Sequence, residues 1–134
     1  MRLTRLVKGA KETFGWVIVG PNRELIIPPE AWRRYGFQVG EEVFFLPGSR
    51  KSGGFSITTL RLLAGSSINL GDRTLGIGYL TLNREACLPE NIPLNPGDRL
   101  LTVFGSGHGL GFIAQGPIFE EATRHPGLDT YQKT

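Results

Sequence analysis

Two neighbouring arginines, Arg33 and Arg34, are the residues of this chain best suited to bind an anion. They lie between Trp32 and Tyr35, so cationic and aromatic side chains are interleaved in one short segment. A guanidinium group has a planar fork that donates two hydrogen bonds at once to a phosphate. The alternative is a minor surface ion pair, because Glu30 lies at helical spacing of three or four residues from both arginines.

A second basic segment begins at the N-terminus, where a cation recurs at every third position. Its basic residues are Arg2, Arg5, Lys8 and Lys11. The apolar residues between them fit one face of an amphipathic helix, although Gly9 weakens a helix and leaves a strand as the alternative. The segment predicts either a basic arm along nucleic-acid phosphates or an apolar stripe packed on the domain with its charges in solvent.

The charge of the chain is distributed unevenly along its 134 residues. Residues 1–34 hold seven basic and three acidic groups, whereas the other hundred hold eight and nine. The net charge of +3 therefore comes from the first quarter of the chain, which indicates an anionic partner for that end. Cys87 is the single cysteine, which excludes an intrachain disulfide, and no apolar run near the N-terminus reaches the ~7–15 residues of a signal peptide. We expect a cytoplasmic protein.

Several common chemistries are excluded by their missing motifs. The glycine-rich stretch from Gly105 to Gly111 has no Lys-Ser/Thr after it, and Leu110 occupies the third glycine position of a dinucleotide-binding loop. No Gly-x-Ser-x-Gly occurs, and the histidines and the cysteine lack metal-ligand spacing. We expect no cofactor, no metal and no enzymatic activity, and His108 is predicted to lie in a hairpin loop. A small-molecule site or an enzyme active site at this loop is a lesser alternative.

The elements that must position these residues are short. The chain has 19 Gly and 9 Pro, and its longest stretches free of both, Phe55–Ala64 and Tyr79–Leu88, are ten residues each. An average helix runs about 11–12 residues. Helical bundles, coiled coils and doubly wound sheets are therefore excluded, and a mainly β domain with short helical turns is predicted.

The chain also contains an internal repeat. Ile27–Ala31 aligns with Leu82–Ala86 at an offset of 55 residues, and Val39–Val43 aligns with Pro96–Leu100 at an offset of 57. Each copy is predicted to form a β-α-β-β unit. A unit of about forty residues buries too little surface to fold alone. We therefore expect the copies to interleave their hairpins in one closed barrel that leaves no free strand edge.

The helical turn of each copy has its own start and stop residues. In the first copy Pro29 suits the opening helical position and Gly36 suits the left-handed residue after the last turn. In the second copy Asn83 is predicted to cap a helical turn that Pro89 ends. The predicted division is one domain with repeat 1 at 14–57, a connector at 58–75, repeat 2 at 76–114, and a short helix and tail at 115–134, frayed from residue 128.

The segment from Glu24 to Val43 resembles the AbrB/MazE/SpoVT family of swapped-hairpin DNA-binding domains. It has the short strand ending in Ile-Pro, the arginine-containing helical turn, and the glycine turn before a hydrophobic strand. Arg33 matches a position where family members carry a basic residue, and Arg34 lies beside it. The second copy matches more loosely and has Ala86-Cys87-Leu88 in that region.

The resemblance implies that the barrel formed by two family protomers can form here within one chain, and pairing of the two copies between two chains is the alternative. It implies a DNA-binding transcriptional regulator that uses Arg33 and Arg34, with help from Arg23 and the basic N-terminal arm. The alternative is an antitoxin-like or other protein-interaction module, because the second copy is weakly basic and the segment Ile118-Phe119 is apolar. A toxin-like protein partner and a homo-oligomer are both compatible with the sequence, and no membrane partner is expected.

Overall fold

The computed structural model describes residues 4–5, 12–49, 53–68 and 70–133, and this part of the chain is mainly β. The strands are β1 (Thr4–Arg5), β2 (Glu12–Ile18), β3 (Glu24–Ile26), β4 (Glu42–Pro47), β5 (Phe55–Thr58), β6 (Gly76–Tyr79), β7 (Glu85–Cys87), β8 (Arg99–Ser106), β9 (Gly109–Ile113) and β10 (Thr130–Tyr131). The helices are α1 (Pro29–Tyr35), α2 (Leu60–Leu63) and α3 (Pro117–Ala122), with one 3-10 turn at Gly71–Arg73.

Eight strands form one sheet in the order β1-β2-β8-β9-β5-β4-β6, with β10 parallel beside β2. Strands β3 and β7 form a separate antiparallel pair. Across the described residues β6 has no pairing with β2 or β1, so the hydrogen-bonded path stays open. The prediction of a closed barrel is wrong for this part of the chain, because β1 and β6, the strands at the two ends of the path, do not pair with each other.

The centre of the sheet consists of two hairpins, β4–β5 and β8–β9, which meet through β5 and β9. Each hairpin is flanked by a strand from the other half of the chain. Strand β6 pairs with β4, and strand β2 pairs with β8. The two halves are therefore interleaved, because the hairpin of each half has a neighbouring strand that comes from the other half.

The β3–β7 pair is held at both ends by equivalent backbone hydrogen bonds. The N–H of Ile27 donates to the carbonyl of Arg84 at 3.0 Å, and the N–H of Leu88 donates to the carbonyl of Arg23 at 2.9 Å. The segment around Arg23 therefore corresponds to the segment around Arg84, at an offset of 61 residues. The alignment at an offset of 55 is wrong here, since it places Ile27 opposite Leu82.

The second half lacks the helical turn predicted after Asn83. Residues 81–84 form a turn, and Glu85–Cys87 is strand β7. Beyond this point two turns make similar backbone hydrogen bonds at an offset of 57 residues, since the N–H of Gly40 donates to the carbonyl of Leu80 and the N–H of Gly97 donates to the carbonyl of Val19. The second half is thus four residues shorter where the first half has α1, and a tight turn over residues 89–94 takes its place.

Helix α1 begins and ends where its proline and glycine predict. Pro29 is its first residue, and Gly36 follows it at φ 67°, with an N–H that donates to the carbonyl of Arg33 at 3.1 Å. The three helices have seven, four and six residues, as expected from the breaker spacing. No helix in the described ranges is long and apolar enough to cross a membrane.

Most large apolar side chains share one core between the sheet and the β3–β7 pair, with Phe45, Phe112 and Leu25 almost fully buried. A second cluster lies on the other face of β2 and β8. There Phe119 of α3 packs edge-on against Trp16, with ring centroids 5.1 Å apart. The two faces of β2 and β8 are thus both covered, and α3 closes the second one.

The C-terminal segment is ordered against the sheet, so the prediction of a frayed tail from residue 128 is wrong. Strand β10 pairs with β2, and the N–H of Trp16 donates to the carbonyl of Asp129 at 2.8 Å. Beyond β10 the ammonium of Lys133 lies 3.2 Å from Glu24 and 3.5 Å from Glu85. The outer edge of β2 offers unpaired backbone groups and these buried carboxylates need a cation, which explains why the tail docks here.

Candidate nucleic-acid interface

Helix α1 presents its two arginines to solvent because its other face is apolar. Ala31, Trp32 and Tyr35 are buried, whereas Arg33 and Arg34 in the last turn are exposed. The basic residues also complement the negative end of the helix dipole. The helix thus packs on the domain through its apolar face and carries its two arginine side chains on the solvent-facing side.

Tyr35 anchors the C-terminal end of α1 to the turn between β8 and β9. Its hydroxyl donates to the carbonyls of Ser106 at 2.9 Å and Gly109 at 2.6 Å. Burial raises the pKa of Tyr35 well above its usual range, so the hydroxyl stays protonated and remains a donor. The position of the arginines relative to the sheet is fixed by this anchor.

Arg33 makes the ion pair with Glu30 that the helical spacing predicts. Its side chain is nevertheless 62% exposed. An exposed pair of this kind contributes little to stability. Arg33 can therefore exchange its carboxylate partner for a phosphate at small cost.

Arg34 lies over the ring of Phe104, with its Cζ 4.3 Å from the ring centroid. Phe104 in turn stacks on Tyr35, at a centroid distance of 5.6 Å. A cation held over an aromatic face keeps its donors available around the edge of the guanidinium plane. Within the described part of the chain, Arg34 has no carboxylate partner.

A third arginine, Arg84, joins this surface, although the sequence analysis did not select it. It lies in the turn before β7, is exposed, and places its Cζ 5.5 Å from the centroid of Trp32 on α1. The signal that identifies it is the tripeptide Asn-Arg-Glu, which occurs at residues 22–24 and again at 83–85. We call Arg33, Arg34 and Arg84 the α1 arginine cluster.

Arg23, the equivalent of Arg84, is placed quite differently from its prediction as a DNA contact. Its guanidinium donates to the carbonyls of Leu94 at 2.8 Å, Pro89 at 2.6 Å and Ile92 at 2.8 Å. These bonds hold the tight turn of the second half together. Arg23 is occupied inside the fold, and we remove it from the candidate interface.

The basic N-terminal segment is described only in part. Arg2, Lys8 and Lys11 lie outside the described residues. Arg5 belongs to β1, which pairs with the start of β2 as a strand and not as a helix. The prediction of a basic arm therefore stays a prediction.

Within the glycine-rich stretch at Gly105–Gly111, Gly107 and His108 form the turn between β8 and β9, and the other residues belong to these two strands. His108 therefore lies in a hairpin turn, as predicted. The Nδ1 of His108 lies 3.1 Å from the carbonyl oxygen of Leu62, so a backbone group is its partner. A mostly apolar cavity of about 350 Å³ opens beside this turn, lined in part by Phe112, Ile113 and Ile118. Across the residues described, no group of three or more His, Cys, Asp or Glu side chains is placed to hold a metal ion.

Comparisons of this chain with protein-family models, with curated proteins and with solved structures find no match. The likeness to the AbrB/MazE/SpoVT family therefore depends on the residues between Glu24 and Val43 alone. The charges and contacts of the α1 surface are the features of the molecule that bear on its function.

Proposed function

We propose that this protein binds DNA and acts as an AbrB-like transcriptional regulator through the α1 arginine cluster. The observation that carries the proposal is the grouping of three exposed guanidinium groups around one helix, two of them resting on aromatic rings. Glu30 is the one acidic residue paired with the cluster among the described side chains. Such a surface neutralises several phosphates at once.

The aromatic rings beneath the cluster favour recognition of nucleic acid over a passive solvated surface. Phe104 and Trp32 hold Arg34 and Arg84 in defined positions, so less side-chain entropy is lost when a phosphate binds. Contacts between the three guanidinium groups and phosphates would orient the protein on the duplex.

The interleaved hairpins support a swapped-hairpin fold made from two tandem copies. The matching hydrogen bonds of Ile27 with Arg84 and of Leu88 with Arg23 are those expected from an approximate two-fold axis through the β3–β7 pair. In this proposal only the first copy keeps a basic helix, so each chain has one DNA-binding surface. A protein of this kind would act in the cytoplasm.

The proposal is tested by binding to a labelled mixed-sequence duplex, followed by fluorescence anisotropy at about 50 and about 200 mM salt. The variant Arg33→Gln/Arg34→Gln/Arg84→Gln should lose affinity on the order of 10- to 100-fold and reduce the salt slope by about 2 to 3. Each lost phosphate contact removes its share of counterion release. Affinity within about twofold of wild type would contradict the site.

The matched control is Arg73→Gln/Arg99→Gln/Arg124→Gln, which removes the same charge elsewhere. Arg124 pairs with Glu121 three residues away, as Arg33 does with Glu30. Arg99 lies 4.0 Å from the centroid of Trp16, so it reproduces a cation over a ring. Equal losses in both triple variants would show that net charge, and not the α1 surface, determines binding.

Sequence specificity requires a separate experiment. Selection of genomic fragments by the purified protein should enrich particular sequences if the protein is a regulator. Enrichment of no sequence above background, together with salt-sensitive binding, would indicate a sequence-independent DNA-binding protein instead.

The second candidate is a protein-interaction module of the antitoxin type. One of its motives is weakened, because Phe119 packs on Trp16 and Ile118 joins the same cluster. The weakly basic second copy still supports this candidate, and so do exposed apolar side chains near β6, among them Ile77 and Tyr79. Recovery of no stoichiometric partner in a pull-down from native lysate would count against it.

A further inference from the structure

The two ends of the sheet differ in the strands that pair with their outer edges. The outer edge of β2 is covered by β1 near its start and by β10 near its end. Strand β6 occupies the other end of the sheet and pairs only with β4 among the described strands. The positions are otherwise comparable, since β2 flanks one central hairpin and β6 flanks the other. Among the described residues, this end of the sheet therefore has an edge to which no strand is paired.

Two residues of β6 direct their backbone N–H and carbonyl groups toward this edge. Leu80, just after the strand, donates its N–H to Glu41 at 3.0 Å and accepts from the N–H of Gly40 at 2.7 Å. Peptide groups alternate in direction along an antiparallel strand. Gly78 therefore faces β4, and Ile77 and Tyr79 direct their N–H and carbonyl groups outward.

Strand β6 contains no charged residue and no proline, and no other described strand pairs with this edge. Natural edge strands carry charged residues, proline or a bulge, or they are covered. Strand β6 reads Gly-Ile-Gly-Tyr, and Ile77 and Tyr79 are 55% and 61% exposed. Leu82, in the turn that follows, is 83% exposed. Exposed apolar side chains beside unpaired backbone groups favour the addition of another strand.

We propose that the occupant of this edge is β6 of a second copy of the chain, paired antiparallel about a two-fold axis at Gly78. This register places Ile77 opposite Tyr79 of the second copy on both sides of the axis. The outward backbone groups then make about four hydrogen bonds. A β-branched residue opposite an aromatic one is a favourable cross-strand pair.

The second copy is favoured over an unrelated strand because β6 is complementary to itself. The strand has no charge, so the two-fold axis brings no like charges together. Glu42, which lies opposite Tyr79 on β4, accepts a hydrogen bond from the hydroxyl of Tyr79 at 3.2 Å. Each copy also offers the same two outward-facing residues in the order that the other requires.

A strand of four residues buries much less than the roughly 1,200 Å² typical of stable interfaces, so the dimer should be weak. Sedimentation velocity over about 5 to 500 µM protein should show a reversible shift from monomer to dimer in the micromolar range. A wild-type protein that stays monomeric over this whole range would overturn the proposal.

Two variants and a control test the register. Ile77→Lys/Tyr79→Lys places cations opposite cations and should remain monomeric, whereas Ile77→Lys/Tyr79→Glu places opposite charges together and should dimerise again. Leu60→Lys, at a side chain also 61% exposed but on α2, should dimerise like wild type. A dimeric double-lysine variant or a monomeric charge-swapped variant would each overturn the proposed pairing, with folding of every variant checked by circular dichroism.

Discussion

At the scale of single residues, Arg23 and Arg84 lie in two copies of the tripeptide Asn-Arg-Glu but make different contacts. Both adopt the left-handed conformation that disfavours side chains, at φ 61° and 60°. Arg23 reaches the carbonyls of a tight turn, whereas Arg84 meets a helix whose carbonyls are used by its own hydrogen bonds. The difference in length between the two halves therefore leaves Arg84 free to rest on Trp32.

This difference predicts opposite effects of the same substitution on stability. Arg84→Gly should leave the free energy of unfolding unchanged or raise it by up to about 1 kcal/mol, because glycine tolerates positive φ. Arg23→Gly gains the same backbone relief but loses its hydrogen bonds to the turn, and should be less stable than Arg84→Gly by about 2 kcal/mol or more. Urea unfolding of both variants measures the gap, and equal stabilities would contradict the role of Arg23.

A second residue-scale prediction concerns the acid stability of the chain through Glu24. Burial alone would raise the pKa of Glu24, but the N–H groups of Asn22 and of Glu24 itself and the ammonium of Lys133 together lower it below 4.5. A carboxylate with a lowered native pKa stabilises the fold above its unfolded pKa, and this stabilisation is lost as the pH falls through the native value.

Lys133→Met should therefore raise the pKa of Glu24 and shift the onset of acid unfolding to higher pH. Lys133→Arg keeps the cation and should behave more like wild type. Urea unfolding at about pH 7 and about pH 3 should show a stability difference between Lys133→Met and wild type that shrinks at the lower pH. A difference that is independent of pH would rule out the ionic role of the tail.

At the scale of elements, α1 depends on a contact with the β8–β9 turn as much as on its own caps. Pro29 and Gly36 define its ends, but seven residues are too few to be stable in isolation. The hydroxyl of Tyr35 and the buried face of the helix tie it to the sheet. The orientation of the arginine cluster is thus a property of this packing.

Tyr35→Phe should lower the free energy of unfolding by about 1 to 2 kcal/mol, because it leaves two carbonyls without their donor. Tyr79→Phe, which removes an exposed hydroxyl bonded to Glu42, should change it by less than about 0.5 kcal/mol. Thermal or urea unfolding of the pair is the measurement. A similar effect of both substitutions would argue against the anchoring role of Tyr35.

At the scale of the whole molecule, the exchange of strands makes the two halves mutually dependent. Strand β2 needs β8, β4 needs β6, and β3 needs β7. The exposed turn around Gly65 separates the strands of the first half from those of the second. The main core is built from side chains of both halves.

The separate fragments 1–66 and 67–134 should therefore show no cooperative unfolding transition. A mixture of the two fragments should show one. The reason is that each fragment leaves its hairpin without a flanking strand and exposes half of the common core. Circular dichroism with thermal melting provides the readout. A first fragment that melts cooperatively as a monomer would contradict this dependence.

Local signals predicted the local structure well. The breaker spacing predicts a mainly β chain with short helices, and Pro29 and Gly36 predict both ends of α1. The helix at Asn83 was predicted wrongly because a capping residue and a following proline are compatible with a turn and a strand as well as with a helix. The strand β7 is selected by its partner β3, which lies about sixty residues away.

The sequence by itself determined that the chain is mainly β, the position of α1 and the presence of its two arginines, because these depend on backbone preferences and on residue type. Only the tertiary structure decided that Arg23 is consumed by a turn and that Arg84 joins the cluster, since both outcomes depend on contacts across the β3–β7 pair. The tertiary structure also decided that β6 pairs only with β4 among the described strands and that the C-terminal tail packs against β2. Whether a strand edge is covered depends on which distant segment reaches it, and the residues of the strand do not encode that.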